Sequence, residues 1–141
     1  MIISARVHYA AIALAELAAR YGDSQPVSIR EITDRHGVPG PFLVQILRTI
    51  RSAGYVESTR GSQGGYRLAV DPAELTLLDV VDAMGAQENV FHTEAAENTA
   101  DETLQEIWRQ AEQASRSVLA AHRIVDLAEK VQHGDSSMFY I

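Results

Sequence analysis

The chain has 141 residues, of which 46% are hydrophobic and none is cysteine, and its formal net charge is −7. This length suits one domain with an appendage, and the lack of cysteine excludes a thiol nucleophile. No segment approaches the roughly 20 apolar residues that span a bilayer, and no signal peptide is present, so we expect a cytoplasmic protein without a membrane partner.

Charge is divided unevenly along the chain. Residues 1–70 hold 8 basic and 5 acidic residues, a net charge of +3, whereas residues 71–141 hold 4 and 14, a net charge of −10. A protein can bind DNA through one basic face while an acidic remainder discourages nonspecific adhesion. The negative total therefore does not exclude a nucleic-acid partner.

The first predicted helix spans about residues 4–20, where apolar side chains recur at helical spacing and indicate a mainly structural role. Near its amino end, Arg6 and Tyr9 are candidate contacts to DNA phosphate, because the helix dipole and a cation both favour an anion there. For Tyr9, as for His8, packing or solvation is an equally good interpretation.

A second, short helix is predicted to start at Ser28. Ser28 and Glu31 have the spacing of a capping box, in which each side chain satisfies a backbone N–H of the other residue. Gly37 supplies the residue that can adopt a positive φ where this helix stops.

A third helix is predicted from Pro39 or Pro41 to Ala53, before Gly54. One face forms a buried stripe, and the opposite face holds arginines and a glutamine but no acid. That outer face is suited to phosphate and base edges. Its candidate DNA-binding residues are Pro41, Val44, Gln45, Arg48 and Arg51.

A glycine-rich hairpin follows, because two strand-like runs within residues 55–69 flank the segment RGSQGG. Such a hairpin after two helices is typical of the wing of a winged helix. Arg60 at its tip suits a narrow minor groove, whose negative potential attracts arginine. Ser58 and Gln63 are further candidate DNA contacts on the wing.

These segments resemble the Rrf2 family of bacterial transcription regulators, which contains the IscR, NsrR and CymR types. The resembling stretches, in order, are SARVHYA at 4–10, RGSQGGYRLA at 60–69, LTLLDVV at 75–81 and the pair Ile107-Trp108. The resemblance implies that the amino-terminal half of the third helix reads the major groove and that Arg60 enters the minor groove. Two departures, Val44 where some members have glutamate and Pro39 where a serine commonly caps the helix, imply a different operator.

After the wing, a fourth helix is predicted with Thr76 as its cap and Gly85 at its end. Residues 86–100 show no regular spacing of apolar residues and are rich in acidic residues, which predicts an acidic mobile loop. In the resembling family, iron–sulfur members carry their cysteines here. With no cysteine we expect no cluster and no bound cofactor, and a zinc or ferrous site is a minor alternative. That alternative would use His92 with Glu88, Glu94 and Glu97, and His8 of a second subunit.

From Asp101 the chain is strongly helical, and apolar or small residues alternate at spacings of four and three over about three heptads. We expect this seam to pack against the same helix of a second subunit, and packing within one chain is the alternative. The predicted dimerisation residues are Leu104, Ile107, Trp108, Ala111, Ser115, Val118, His122 and Val125. Beyond the seam, residues 124–131 can return to the winged domain, and the apolar end 138–141 either docks in a groove of the dimer or closes a pocket.

The predicted fold is mainly α with a small β-hairpin wing. It comprises a winged helix-turn-helix domain at 1–85, the loop at 86–100 and a dimerisation helix with a tail at 101–141. The protein is predicted to be a homodimeric repressor that binds a pseudo-palindromic operator of double-stranded DNA. A small-molecule or protein effector is expected to regulate it. The alternative is a winged-helix module that binds another protein through the acidic carboxy-terminal half. The histidines lack metal-ligand spacing and no serine stands in a nucleophile-elbow setting, so we expect neither an enzyme nor a metal site.

Overall fold

The computed structural model of the protein describes residues 3–85 and 98–138. Within this part the chain is mainly helical with one two-stranded antiparallel sheet, which confirms the predicted fold class. The elements in chain order are α1 (Ala5–Ala19), α2 (Ile29–His36), α3 (Gly40–Ser52), β1 (Val56–Thr59), β2 (Gly65–Leu68), α4 (Leu77–Ala83), α5 (Thr99–Ala120) and α6 (Ile124–Met138).

Helix α1 lies at the centre of the core and packs against α2, α3, α4, α6 and the wing. Its alanines Ala10 and Ala13 are fully buried, and their small side chains allow neighbouring helices to approach closely. Burial of each large apolar side chain contributes about 1.5–3 kcal/mol. The largest of these side chains are Leu14, Leu17, Ile32, Leu43, Ile46, Leu47, Ile50, Leu75 and Ile124.

Local capping signals in the sequence are confirmed. The Ser28 hydroxyl accepts from the Glu31 N–H at 3.1 Å, and the Glu31 carboxylate accepts from the Ser28 N–H at 3.3 Å. Gly37 ends α2 with a φ of 68°. Thr76 caps α4 as predicted, and Asp79 completes a second capping box that the sequence analysis did not identify.

The wing is joined to the start of the helix-turn-helix. Val56 pairs with Leu68 and Thr59 with Gly65 in the hairpin, while Val27 and Tyr66 exchange two backbone hydrogen bonds of 2.8 Å. A Cβ added at Gly65 would stand 2.3 Å from the Val27 carbonyl oxygen. Glycine is therefore required at this position for the wing to pack against residue 27.

The predicted helical seam is not continuous. Helix α5 ends at Ala120, α6 begins at Ile124, and the residues between them pair with the segment before α4. The Leu77 N–H donates to the His122 carbonyl at 2.9 Å, and the Ile124 N–H donates to the Leu75 carbonyl at 2.8 Å. These backbone bonds replace those of a continued helix, so the single long helix expected from Asp101 is wrong and His122 and Val125 lie outside α5. Their part in dimerisation stays a prediction.

The return of the chain after residue 123 is confirmed. Ile124 and Ala128 are buried, Leu127 packs against the core, and α6 contacts α1. Helix α5 starts at Thr99, two residues before the predicted start, because Asn98 caps it. Most of the predicted acidic loop, residues 86–97, and residues 139–141 of the apolar end lie outside the described part. No described helix is both long and apolar enough to cross a bilayer.

Candidate nucleic-acid interface

Helix α3 separates a buried face from an exposed polar face, as its pattern predicted. Leu43, Ile46, Leu47 and Ile50 are buried, with at most 1% of each side chain exposed. The opposite face presents exposed Pro41, Gln45, Arg48 and Arg51 together with half-buried Val44, and it contains no acid. The face is thus free to meet an anionic surface.

The last turn of α3 is tied to the wing. The Arg51 guanidinium donates to the Ser58 hydroxyl on β1 at 3.2 Å. Between these elements an open cavity of about 420 Å³ is formed. Its lining comprises Ile29, Arg51, Ser58, Thr59, Arg60, Gly61, Gly64, Gly65 and Tyr66. The sequence analysis missed this cavity, because its walls come from three separate segments that only the fold brings together.

The tip of the wing is a tight turn with exposed polar side chains. The Gly64 N–H donates to the Gly61 carbonyl at 3.0 Å, and Gly61 has a φ of 115°. Arg60 and Gln63 at this turn are both exposed. The hairpin therefore presents an exposed cation on a tight turn, the kind of charge that the negative potential of a narrow minor groove attracts.

Several cations of this surface carry no internal neutralising partner. Arg6, Arg48 and Arg60 are exposed and form no ion pair with any residue in the described part of the chain. An arginine whose charge is not already neutralised keeps its full attraction for DNA phosphate. These positions are electrostatically suited to the predicted contacts.

The amino end of α1 abuts the amino end of α3. The rings of Tyr9 and Phe42 meet edge to face, with centroids 5.7 Å apart and planes at 88°. Such a pair contributes about 0.5–1.5 kcal/mol beyond burial. Tyr9 thus has a packing role, Arg6 beside it is exposed, and a phosphate contact by either residue stays a prediction.

A buried carboxylate below the helix-turn-helix was missed by the sequence analysis. Glu16 on α1 is 0% exposed, and its carboxylate meets Arg35 of α2 at 2.5 Å and Arg20 at 3.6 Å. His36 Nε2 lies 3.7 Å from the other carboxylate oxygen, and Arg20 also reaches Glu31 at 3.3 Å. The cluster holds α2 against α1, and α2 in turn supports α3. The only signal in the sequence was an acid inside an apolar helix face.

Tyr55 lies at the junction of α3 and the wing. Its N–H donates to the Ile50 carbonyl at 3.2 Å, and its carbonyl accepts from the Ala69 N–H at 2.9 Å. Burial, and then the negative charges of Asp79 and Asp82, raise the pKa of the Tyr55 phenol. The phenol therefore stays neutral and its ring remains a packing element between α3, the wing and α4.

The donor set for a metal is poor in the described residues. They contain no group of three or more histidine, cysteine or acidic side chains placed to hold an ion. The complete chain has 0 cysteines, so the thiolates that chiefly hold an iron–sulfur cluster are missing. His92, Glu88, Glu94 and Glu97 lie outside the described part.

Helix α5 exposes an apolar stripe. None of its residues is buried, and Leu104, Ile107, Trp108 and Val118 are 46%, 46%, 51% and 59% exposed. Ala111 is exposed and Ser115 half-buried beside them. Large apolar side chains exposed together along one helix are typical of an interaction surface.

Comparison with known proteins points to one family. A model of the Rrf2 family, described as an iron-dependent transcriptional regulator, matches residues 3–130. A helix-turn-helix-type transcriptional regulator of Synechocystis sp. is 33% identical over 130 residues, which are 90% of this chain and 87% of that protein. CymR of Bacillus subtilis is 29% identical over 142 residues, which span 100% of both chains.

Solved structures agree. The structure of CymR, the global cysteine regulator of B. subtilis, superposes with a TM-score of 0.78 and 28% identity, over 92% of this chain and 98% of that chain. The structure of IscR from T. potens superposes with a TM-score of 0.76 and 26% identity, over 95% of this chain and 90% of that chain.

Proposed function

Because the chain belongs to the Rrf2 family of transcriptional regulators, we propose that it is a homodimeric repressor of a pseudo-palindromic DNA operator. The observation that carries the proposal is the exposed, acid-free face of α3 beside an arginine-tipped wing. Two recognition helices of a symmetric dimer would enter successive major grooves about 34–36 Å apart.

Each part of the interface has a proposed role. Gln45 donates to and accepts from adenine, Arg48 binds guanine, and Val44 contacts a thymine methyl group, with Pro41 beside them. Arg51 binds phosphate from the edge of the cavity, where Ser58 orients its guanidinium. Arg60 enters the minor groove with Gln63, and Arg6 and Tyr9 contact the backbone.

The exposed stripe of α5 supports the dimer. Its two-fold mate would cover Leu104, Ile107, Trp108, Ala111, Ser115 and Val118, and small residues within it allow close approach of the helices. His122 and Val125 leave the stripe, so we propose a shorter seam than the heptad pattern indicated.

Iron is described for the family, yet the donors here do not fit an iron–sulfur cluster. Soft thiolates hold such clusters, and this chain has none. We propose that a small molecule or a protein is the effector instead. Anaerobic reconstitution with iron and sulfide, followed by absorption spectroscopy and metal analysis, tests this. A stoichiometric cluster whose loss changes operator affinity would overturn it.

The main experiment separates base reading from phosphate binding. The protein selects its operator from random DNA, and affinities for that operator and for a scrambled duplex are then measured by fluorescence anisotropy. Gln45→Ala should cost about 1–3 kcal/mol on the operator and little on scrambled DNA, whereas Arg51→Ala should weaken both alike. Failure to select any sequence, with no DNA affinity, would instead favour a module that docks on proteins.

A further inference from the structure

Helix α5 is attached to the winged part of its own chain at two places. At its carboxyl end, the backbone of residues 122–124 bonds to that of residues 75–77 at 2.8–2.9 Å. About two turns earlier, Arg116 of α5 meets Asp82 of α4, and two guanidinium nitrogens bind the two carboxylate oxygens at 3.1 and 3.2 Å. Two attachment points along one helix define its direction, which a single point cannot do.

Beyond Arg116 towards its amino end, α5 forms no hydrogen bond or ion pair with residues 3–85, so this part is free of the described winged domain. Every side chain at 102–114 is exposed, a length of about 20 Å at 1.5 Å per residue. The apolar residues Leu104, Ile107 and Trp108 stand on this free part. A change of about 10° at Arg116 would therefore move the stripe by about 3–4 Å over that length.

Besides α5, helix α4 contacts α1 and α3. Asp82 lies near enough to Tyr55 for its charge to raise the pKa of that phenol. Tyr55 joins the end of α3 to the start of the wing through its backbone bonds to Ile50 and Ala69. Asp82 thus binds Arg116 of α5 and also lies near Tyr55, the residue that links α3 to the wing.

We infer that the Arg116–Asp82 pair sets the angle between α5 and the winged domain, and thereby the spacing of operator half-sites that the dimer accepts. The inference rests on the proposed function. In a dimer joined through α5, this angle determines how far apart the two α3 helices stand. One added base pair moves a half-site by about 3.4 Å and turns it by roughly 35°. The preferred spacer length therefore reports the angle between α5 and the winged domain.

The test measures affinity for a set of operators in which the spacer between half-sites is shortened or lengthened by one or two base pairs. The parent protein is compared with Arg116→Gln, with Asp82→Asn and with the charge-swapped Asp82→Arg/Arg116→Asp. The matched control is Arg109→Gln, because the ion pair of Arg109 in the described residues lies within α5, with Glu106 at 2.7 Å. Circular dichroism and sedimentation equilibrium report folding and dimerisation of each variant.

The parent and the control should prefer one spacing. In each single variant the ratio of affinities between the preferred spacer and the altered spacers should fall about three- to fivefold, the range expected for an exposed bidentate pair. The charge swap should restore this ratio. An unchanged preference in Arg116→Gln, or no recovery in the swap, would overturn the inference. So would a single variant that no longer dimerises, since the pair would then join the subunits rather than orient them. A parent that binds no spaced pair of half-sites would refute the proposed function itself.

Discussion

Arg60 and Glu16 show two opposite uses of a charged side chain. Arg60 is exposed on the wing and has no ion-pair partner in the described part of the chain, so its charge is available to a ligand. Glu16 is fully buried and is neutralised by Arg35 and Arg20. The first should matter for DNA binding and the second for stability.

Arg60→Ala should weaken operator binding by about tenfold or more, since a minor-groove arginine supplies both charge and shape recognition. The thermal unfolding temperature should be unchanged, because the Arg60 side chain is exposed and is not part of the core. Arg109→Ala on α5 removes the same charge far from the wing and serves as the control in anisotropy titrations. Equal affinity of both variants would remove the wing from the mechanism.

Glu16→Gln should lower the free energy of unfolding by roughly 3 kcal/mol, because it removes the buried charge that Arg35 and Arg20 both approach. Asp34→Asn is the matched control on α2, where the side chains of the Arg30–Asp34 pair are 90% and 72% exposed. Its cost should stay below about 1 kcal/mol. Urea unfolding followed by circular dichroism compares them, and equal losses would show that the buried cluster is not stabilising.

Among the elements, those specified by local signals were predictable and those specified by distant contacts were not. The bounds of α2 and α3 follow from Ser28, Gly37 and Pro39, all within the segment itself. The break between α5 and α6 depends on backbone groups of residues 75–77, far away along the chain. A heptad pattern carries no information about such a competitor, so the helix was predicted too long.

The wing depends on a glycine for a reason that is visible only in three dimensions. Gly65→Ala would place a methyl group against the Val27 backbone and should lower the free energy of unfolding by about 1–3 kcal/mol. Ser62→Ala at the exposed tip of the same wing should change it by less than about 0.5 kcal/mol. Thermal unfolding should therefore shift clearly only for Gly65→Ala. An equal shift in the two variants would contradict the close approach at residue 27.

At the scale of the molecule, the proposed function depends on assembly through the exposed stripe on α5. The interface of α3 and the wing was largely predictable, since helical period and glycine spacing mark it, whereas the Glu16 cluster and the cavity beside Arg51 required the packing of separate helices. The stripe itself was predictable, but its partner was inferred only from exposure and length.

Trp108→Glu should convert the protein to a monomer, because it places a charge at the centre of the apolar stripe. Affinity for the full palindrome should fall to that for a single half-site, while helical content is retained. Gln113→Glu adds the same charge elsewhere on exposed α5 and should leave the dimer intact. Sedimentation equilibrium decides, and a Trp108→Glu variant that remains dimeric would place the interface elsewhere.

The pairing of Val27 with Tyr66 has a consequence for solution behaviour. An isolated two-stranded hairpin has open edges, and open edges are templates on which neighbouring molecules can add strands and aggregate. Here the β2 edge is occupied at Tyr66 by Val27, and Arg67 donates to the Ser24 carbonyl at 2.8 Å on the adjoining loop. The wing can therefore extend towards DNA and remain exposed between binding events without offering that edge to another wing.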